Sequence, residues 1–380
     1  MQGADVIIVG GGIAGAGAAY EIAAFASVVL VERETRCGYH STGRSAASFT
    51  ENYGNALVRR LAMASRPFLD GPPPGFSEHP LLTSQPVITI ARTDQLPLLE
   101  QQFGQARALV PSIAKIEAAE ALSRVPILKA DYVAGAFVEP HAMEIDVHGL
   151  HQGYLRGARA RGARIEVDAG VTGIDYGGGR WRITTSAGIF AAPLIVNASG
   201  AWADVVADMA GVRPLGLVPK RRTAFTVPLP MGLEPRNWPM IDDVAEEFYF
   251  KPDAGRLFVS PADATPSAPL DAYPDDLDVA AGVERLERAT HLNVTRVSHS
   301  WAGLRTFARD ASPVVGLDGT ARGFCWLAGQ GGYGIKTSPA LSRACAALVQ
   351  GRPLPEDFAR LGIGAHELSP NRLRGQMKVK

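Results

Sequence analysis

The chain has 380 residues, 46% hydrophobic and 20% charged, an ordinary globular balance with enough length for two lobes, each with its own core. Its 38 basic and 38 acidic residues cancel, so no global field recruits nucleic acid or anionic lipid. Three separated cysteines, Cys37, Cys325 and Cys345, form no CxxC; they exclude a disulfide framework and a zinc site, suit a reducing cytoplasm, and each reads as a small core hydrophobe.

Residues 5–31, DVIIVGGGIAGAGAAYEIAAFASVVLV, are apolar enough to suggest a signal peptide or a membrane span. No basic residue precedes them, and a span would carry Gly10, Gly11, Gly12, Gly15 and Gly17 besides Asp5 and Glu21. The stretch therefore splits into strand, glycine turn, helix and strand, with no export signal and no integral membrane segment expected. Gly10, Gly12 and Gly15 have G-x-G-x-x-G spacing directly after a β-branched strand, and they open an alanine-rich helix. A second strand, SVVLVE, ends at Glu32, twenty residues after Gly12. That context predicts a dinucleotide site. Gly10 makes the turn, Gly12 admits a pyrophosphate to the backbone, and Gly15 lets helix and strand touch. The helix N-terminus supplies N–H groups for the phosphates, and Glu32 accepts from ribose hydroxyls.

Next comes CGYHSTGRSAAS (37–48), a loop of small and hydroxyl residues around Arg44. ALVRRLAMASRPFLD reads as a helix, ended by GPPPGF. PVITIAR (86–92) alternates like a strand, whereas LPLLEQQFGQARALV and KIEAAEALSRV are helical by period. Asp146 is placed to N-cap a helix through DVHGLHQGYLRGARARGA. Its His148 and His151 read as a solvated or helix-packing pair rather than a metal site. ARIEVDAGVTGIDY, GRWRITTSAG and APLIVNASGAWA return as strands to the first lobe. VPKRRTAFTVPLP, WPMIDD, EEFYFKP, GRLFVSP and TRVSHSWAGLRTF predict a large sheet in a second lobe. PADATPSAPLDAYPDD (261–276) reads as a surface loop.

The chain closes with GFCWLAGQGGYGIKTSPALSRACAALVQG, a buried strand followed by Gly329, Gly331, Gly332 and Gly334. A helix is expected after them, with Ser338 as N-cap, Pro339 at its first position and Gly351 past its end. These glycines let the backbone touch a planar ring. There is no GxSxG for a serine nucleophile and no metal-ligand spacing.

The motifs GYHSTGRSAA, GFSEHPLL, LHQGYLRG, GVRPLGLVPKRR, FYFKPDAG, WAGLR and GQGGYGI, in this order over nearly the whole chain, resemble the D-amino-acid oxidase superfamily of FAD enzymes. The resemblance is closest to bacterial D-arginine dehydrogenase. It implies an α/β fold with a discontinuous Rossmann-type FAD-binding domain (1–85, 147–214 and 306–380). The rest, 86–146 and 215–305, would be an α+β substrate-binding domain with a large mixed or antiparallel sheet. FAD would be held non-covalently. The fingerprint residues Gly10, Gly12, Ile13, Ala14, Gly15, Glu32 and Arg33 would bind its nucleotide half, with Val171 at the adenine and Gly200 nearby. Ser41, Thr42, Arg44, Ser45 and Ala46 would run under the flavin, with Gly303 beside them. The cluster Gly331, Gly332, Tyr333, Gly334, Ile335, Lys336 and Thr337 would cover the flavin's reducing edge, the positive helix end facing N1–C2=O.

For chemistry, the resemblance implies that Arg222 of KRR and Arg305 of WAGLR clamp the substrate carboxylate, with Tyr53, Tyr249 and Gly332 completing the catalytic set. Strand alternation turns Arg221 away from Arg222. The substrate pocket would hold Ser48, Thr50, Val87, Met240 and Asp242. The arginine-oxidising relative carries a glutamate where this chain has Val87, and a histidine where it has Ser48; both departures oppose an inherited D-arginine preference. Four acids, Asp242, Asp243, Glu246 and Glu247, crowd WPMIDDVAEEFYFKPDAG (238–255). Period two puts Asp242 on the face of Met240, while Asp243 to Glu247 form a solvent-facing turn, so Asp242 alone should look inward. It either recognises a cation from the opposite wall or points to water at a loosened mouth, leaving Val87 to favour apolar side chains.

Lys336 matches the lysine of a GHGFK-like run in sarcosine-oxidase relatives. It either adds positive charge near the flavin or is a solvated loop lysine. The activity expected is hydride transfer from Cα of a D-amino acid to flavin N5, giving a 2-oxo acid and ammonia in the cytoplasm. Quinone, protein or oxygen would be the electron acceptor. The alternatives are a sarcosine- or glycine-oxidase-like enzyme using oxygen and a non-catalytic flavin-binding redox carrier.

Overall fold

A computed structural model of the protein describes residues 2–374. Its six-stranded sheet runs in the order Arg164–Glu166, Val28–Val31, Val6–Val9, Leu194–Asn197, Phe324–Ala328, Val314–Leu317. All neighbours are parallel except the last pair. The central strands are apolar at every position but Asn197, because both faces are covered. Val6 and Ile8 face a core with Ala18, Ala19, Leu341 and Ala344 of the helices Ile13–Ile22 and Gly334–Val349. Ile7 and Val9 face a second core with Trp181, Ile183 and Phe190 from an overlying four-stranded sheet.

The other large sheet has nine strands, in the order Gln330–Gly331, His299–Phe307, Val218–Pro228, Arg256–Ser260, Tyr249–Asp253, Met240–Asp243, Val87–Ala91, Gly135–Glu139, Ala114–Ile116. Only Met240–Asp243 with Val87–Ala91 is parallel. One face, carrying Ile88, Ile241, Phe250, Val259 and Phe225, is buried with Ala121 and Leu286 from flanking helices. The edge strand Gln330–Gly331 comes from the closing glycine cluster, pairing Gly331 with Thr306. The expected α/β architecture with a large mixed second sheet is therefore the one observed.

Two local expectations, both about the closing helix, are corrected. The closing helix begins at Gly334, not after Ser338. Pro339 lies inside it and has no N–H for the carbonyl of Ile335; the Ser338 hydroxyl donates to that carbonyl instead, at 2.9 Å. The 261–276 segment is the surface loop expected, anchored by buried Ala272 and by Arg44, which donates to Asp271 and to the carbonyl of Ala272. It leads into an amphipathic helix, Asp276–Ala289, which the sequence reading passed over and which Asp275 caps through the N–H of Leu277. Gly351 does stand just past the closing helix with positive φ, and Asp146 does cap its own helix through the N–H of Gly149. No helix among the described residues is long and apolar enough to cross a membrane.

Candidate active site

A cavity of about 970 Å³ lies between the two large sheets. Every site residue expected from the sequence lines it except Gly15 and Thr337. Gly15 sits behind the turn: a Cβ there would stand 1.8 Å from the carbonyl oxygen of Gly10, itself at φ +105°. Thr337 is fully buried and donates to the carbonyl of Tyr333.

The nucleotide side is built largely from backbone. Glu32, at the end of its strand, accepts from the N–H of Gly11 (2.7 Å) and of Glu34 (3.0 Å). A carboxylate has about four acceptor positions, so it keeps capacity for ribose hydroxyls. The Thr42 hydroxyl accepts from the N–H of Ile13 (3.0 Å), while other first-turn N–H groups of that helix have no intrahelical acceptor. These open donors, the closely packed glycine turn and the placed acid fit a flavin dinucleotide. His151, expected to be solvated or helix-packed, is buried; its Nε2 lies 2.9 Å from the carbonyl oxygen of Gly11 and braces the turn. Arg44 reaches the cavity, but its guanidinium is engaged by the carbonyls of Ala272 and Ala302 and by Asp271.

The substrate side is built from side chains on one face of the nine-stranded sheet. Register aligns Phe137, Thr89, Asp242 and Tyr249 across four neighbouring strands, and Glu139, Val87 and Met240 across three of them. Further along the sheet, Arg222 pairs with Gly303, and Lys220 with Arg305. Arg222 lines the cavity, whereas Arg221 turns outward to Asp263, Asp275 and Asp278. Neither Arg222 nor Arg305 forms an ion pair among the described residues, and Nε of Arg222 is buried without a hydrogen-bond partner. Arg305 lies across Gly332, where a Cβ would stand 3.0 Å from the guanidinium carbon, and its Nη1 is 3.4 Å from the Tyr53 hydroxyl.

Asp242 faces this cavity and makes no hydrogen bond or ion pair among the described residues. Burial, reinforced by Glu246 and Asp243 and opposed by Arg222 and Arg305, pushes its carboxyl up to about 8. It is not alone. Asp243 and Glu246 also line the cavity; Glu246 is exposed, as expected of this turn, whereas the solvent-facing reading of Asp243 is corrected. Asp243 is 1% exposed because it accepts from the N–H groups of Ala245 and Glu247, closing the turn on itself. Glu247 is held by Arg92 and Arg288.

Lys336 is likewise not a solvated loop lysine. It is 3% exposed, lies in the first turn of the closing helix, and donates to the carbonyls of Thr50 and Tyr53, both at 2.7 Å. Burial brings its ammonium down to about 7, opposed by Glu139. Ser48 lines the cavity with an unpartnered buried hydroxyl, and Thr50 accepts from the N–H groups of Asn52 and Tyr53. Sequence reasoning missed Arg59, Thr89, Gln102, Phe137 and Glu139, all of which face the cavity. Alternation from Val87 to Thr89 signalled one of them; Glu139 stands in no motif.

Residues 5–348 match the family described as DAO, FAD dependent oxidoreductase. The chain is similar to glycine oxidase of Geobacillus kaustophilus, 25% identical over 95% of this chain and 97% of that one. It is similar to the mitochondrial sarcosine dehydrogenase of Homo sapiens, 25% identical over 92% of this chain but only 40% of that protein's length. Among solved structures, L-proline dehydrogenase from P. horikoshii superimposes with a TM-score of 0.83, at 19% identity, over 99% of this chain and 100% of that one, a likeness of fold.

Proposed function

We propose a reaction on the premise that this chain belongs to the DAO family of FAD-dependent oxidoreductases and uses FAD: the oxidation of free D-amino acids to 2-oxo acids and ammonia. The observation that carries it is the pair Arg222 and Arg305, two guanidinium groups facing one cavity with neither in an ion pair among the described residues. A planar fork matches a carboxylate bidentately, and a redox carrier needs no such clamp.

Bound FAD supplies a two-electron acceptor for the hydride on Cα. The protein's own work is placement. Arg222 and Arg305 fix the carboxylate, and Gly332 lets Arg305 lie flat against the backbone. The hydroxyls of Tyr53 and Tyr249 bond the carboxylate or order water near the amine, which must be neutral when the hydride leaves. Water then hydrolyses the imino acid. Val87 and Met240 receive the stem of the side chain. Asp242, in no ion pair and with its carboxyl pushed up to about 8, favours a second positive group on the substrate once it is ionised, the cation itself drawing the proton off. The nucleotide lobe (1–85, 147–214, 306–380) contributes Tyr53 and Gly332 to this site, and the substrate lobe (86–146, 215–305) contributes Arg222, Tyr249 and Arg305. Handedness rests on the resemblance to D-amino-acid enzymes.

A second reading, oxidation of glycine or N-methylglycine with oxygen as acceptor, is supported by the similarity to glycine oxidase over nearly its full length. Mixing FAD-loaded protein anaerobically with D-Lys, D-Arg, D-Leu, D-Phe, their L-forms, glycine and N-methylglycine separates the two. Fast bleaching of the flavin band by D-amino acids supports the first reading, and bleaching by glycine or N-methylglycine alone replaces it with the second. No bleaching by any of them removes both. Reoxidation of the bleached protein by oxygen or by a quinone assigns the acceptor.

A further inference from the structure

Tyr53 stands on a turn, residues 50–54, that belongs to neither the strand Ser48–Phe49 before it nor the helix Ala56–Asp70 after it. Buried or half-buried charged side chains replace the missing ladder bonds. Lys336 donates to the carbonyls of Thr50 and Tyr53 (both 2.7 Å), Arg59 donates to that of Gly54 (2.7 Å), and Glu139 accepts from the N–H of Glu51 (3.0 Å). The carbonyl of Thr50 and the N–H of Glu51 are the two ends of one planar peptide. Its negative end meets an ammonium and its positive end meets a carboxylate. Flipping that peptide would turn oxygen toward Glu139 and N–H toward Lys336, so its orientation is set electrostatically.

Lysine is a costly way to fill this position. It is buried, and it puts a cation at a helix N-terminus, where the macrodipole opposes it. An apolar side chain would fill the space without those costs, but it would leave two carbonyls of the turn unserved. The ring of Tyr53 packs edge-on against Tyr333, 5.2 Å between centroids, and its hydroxyl meets Arg305.

We infer that Lys336 and Glu139 are positioning residues: together they pin the Thr50–Glu51 peptide and so hold Tyr53 against Arg305 at the substrate carboxylate. Burial lowers the Lys336 ammonium and raises the Glu139 carboxyl, and the charge of each partly offsets the shift of the other. The inference rests on the proposed carboxylate clamp for its effect on substrate. Its effect on the turn is independent of that reading.

The test uses the full-length FAD-loaded protein, with acetate as a carboxylate probe read by its perturbation of flavin absorbance. Amide exchange at Glu51 and Tyr53 is followed in parallel. For Lys336→Met, acetate affinity should fall about tenfold, KM for the amino acid should rise similarly with kcat changed less than twofold, and both amides should exchange faster. The double variant Lys336→Met/Tyr53→Phe should bind acetate no more weakly than Tyr53→Phe alone. Acetate affinity within twofold of wild type together with unchanged exchange overturns the inference, and so does full additivity in the double variant. If Lys336→Met does not load FAD, Glu139→Gln, which keeps an acceptor but removes the charge, should cost about threefold in acetate affinity and speed exchange at Glu51; unchanged values there overturn it equally. Wild-type protein that binds neither acetate nor any amino acid defeats the clamp instead, and the exchange measurement still judges the pinned turn.

Discussion

The two walls of the cavity are made of different material. On the nucleotide wall the working groups are backbone N–H donors and the absence of side chains, as at Gly10 and Gly15, where an added Cβ would strike backbone atoms at 2.6 and 1.8 Å. On the substrate wall they are side chains standing on every second residue of neighbouring strands. A backbone site tolerates little change, because every alteration moves the chain itself. A side-chain site can be edited one residue at a time while its sheet stays intact.

That contrast is sharpened first by Gly15→Ala. The new methyl cannot coexist with the Gly10 carbonyl, so the cost should exceed the roughly 1–3 kcal/mol of ordinary overpacking. Purified protein should carry little or no flavin by absorbance and should melt early. Arg305→Met should do the reverse: FAD stoichiometry and thermal midpoint stay near wild type, while kcat/KM falls about 10³-fold, close to 4 kcal/mol of lost charged hydrogen bonding. Loss of FAD in that variant would break the comparison.

Asp242→Asn comes next, with an expected effect of about threefold. Because burial pushes the Asp242 carboxyl up to about 8, its ionisation above that pH should add an anion beside Arg222 and Arg305. Affinity for a neutral-side-chain amino acid should therefore weaken as pH rises through about 8 in wild type and stay flat in the variant. Stability follows the same sign. The folded protein holds this proton to higher pH than the unfolded chain does, so stability falls as pH climbs from about 4 toward 8. The variant should lose that slope in thermal midpoint against pH. The smallest effect belongs to Arg221→Ala. Its partly exposed ion pairs with Asp263, Asp275 and Asp278 should contribute about 1 kcal/mol, and KM should not move although Arg221 adjoins Arg222 in sequence.

The nucleotide wall was readable because its physics is local. Strand, glycines, helix and the acid at Glu32 fall within 32 residues, and each constrains the next. The faces of Arg221 and Arg222 followed from alternation alone, as did the sharing of one face by Met240 and Asp242. What escaped depends on partners distant in the chain. Lys336 looked like a loop residue because Ser-Pro imitates a helix start, yet the helix had already begun and its serine serves the carbonyl that proline strands. Glu139 belongs to no motif, and only the register that sets it beside Val87 reveals that it faces the cavity. The acids after Asp242 looked wet by composition. Asp243 is buried because its own turn consumes its oxygens.

The strand Gln330–Gly331 gives one protein two kinds of connectivity at once: it follows directly from the six-stranded sheet and is hydrogen-bonded to the edge of the nine-stranded one. A clamshell motion that swung the sheets apart would have to break the pairing of Thr306 with Gly331 and of Phe307 with Gln330. Calorimetry should accordingly record a single endotherm, the two halves melting as one cooperative body.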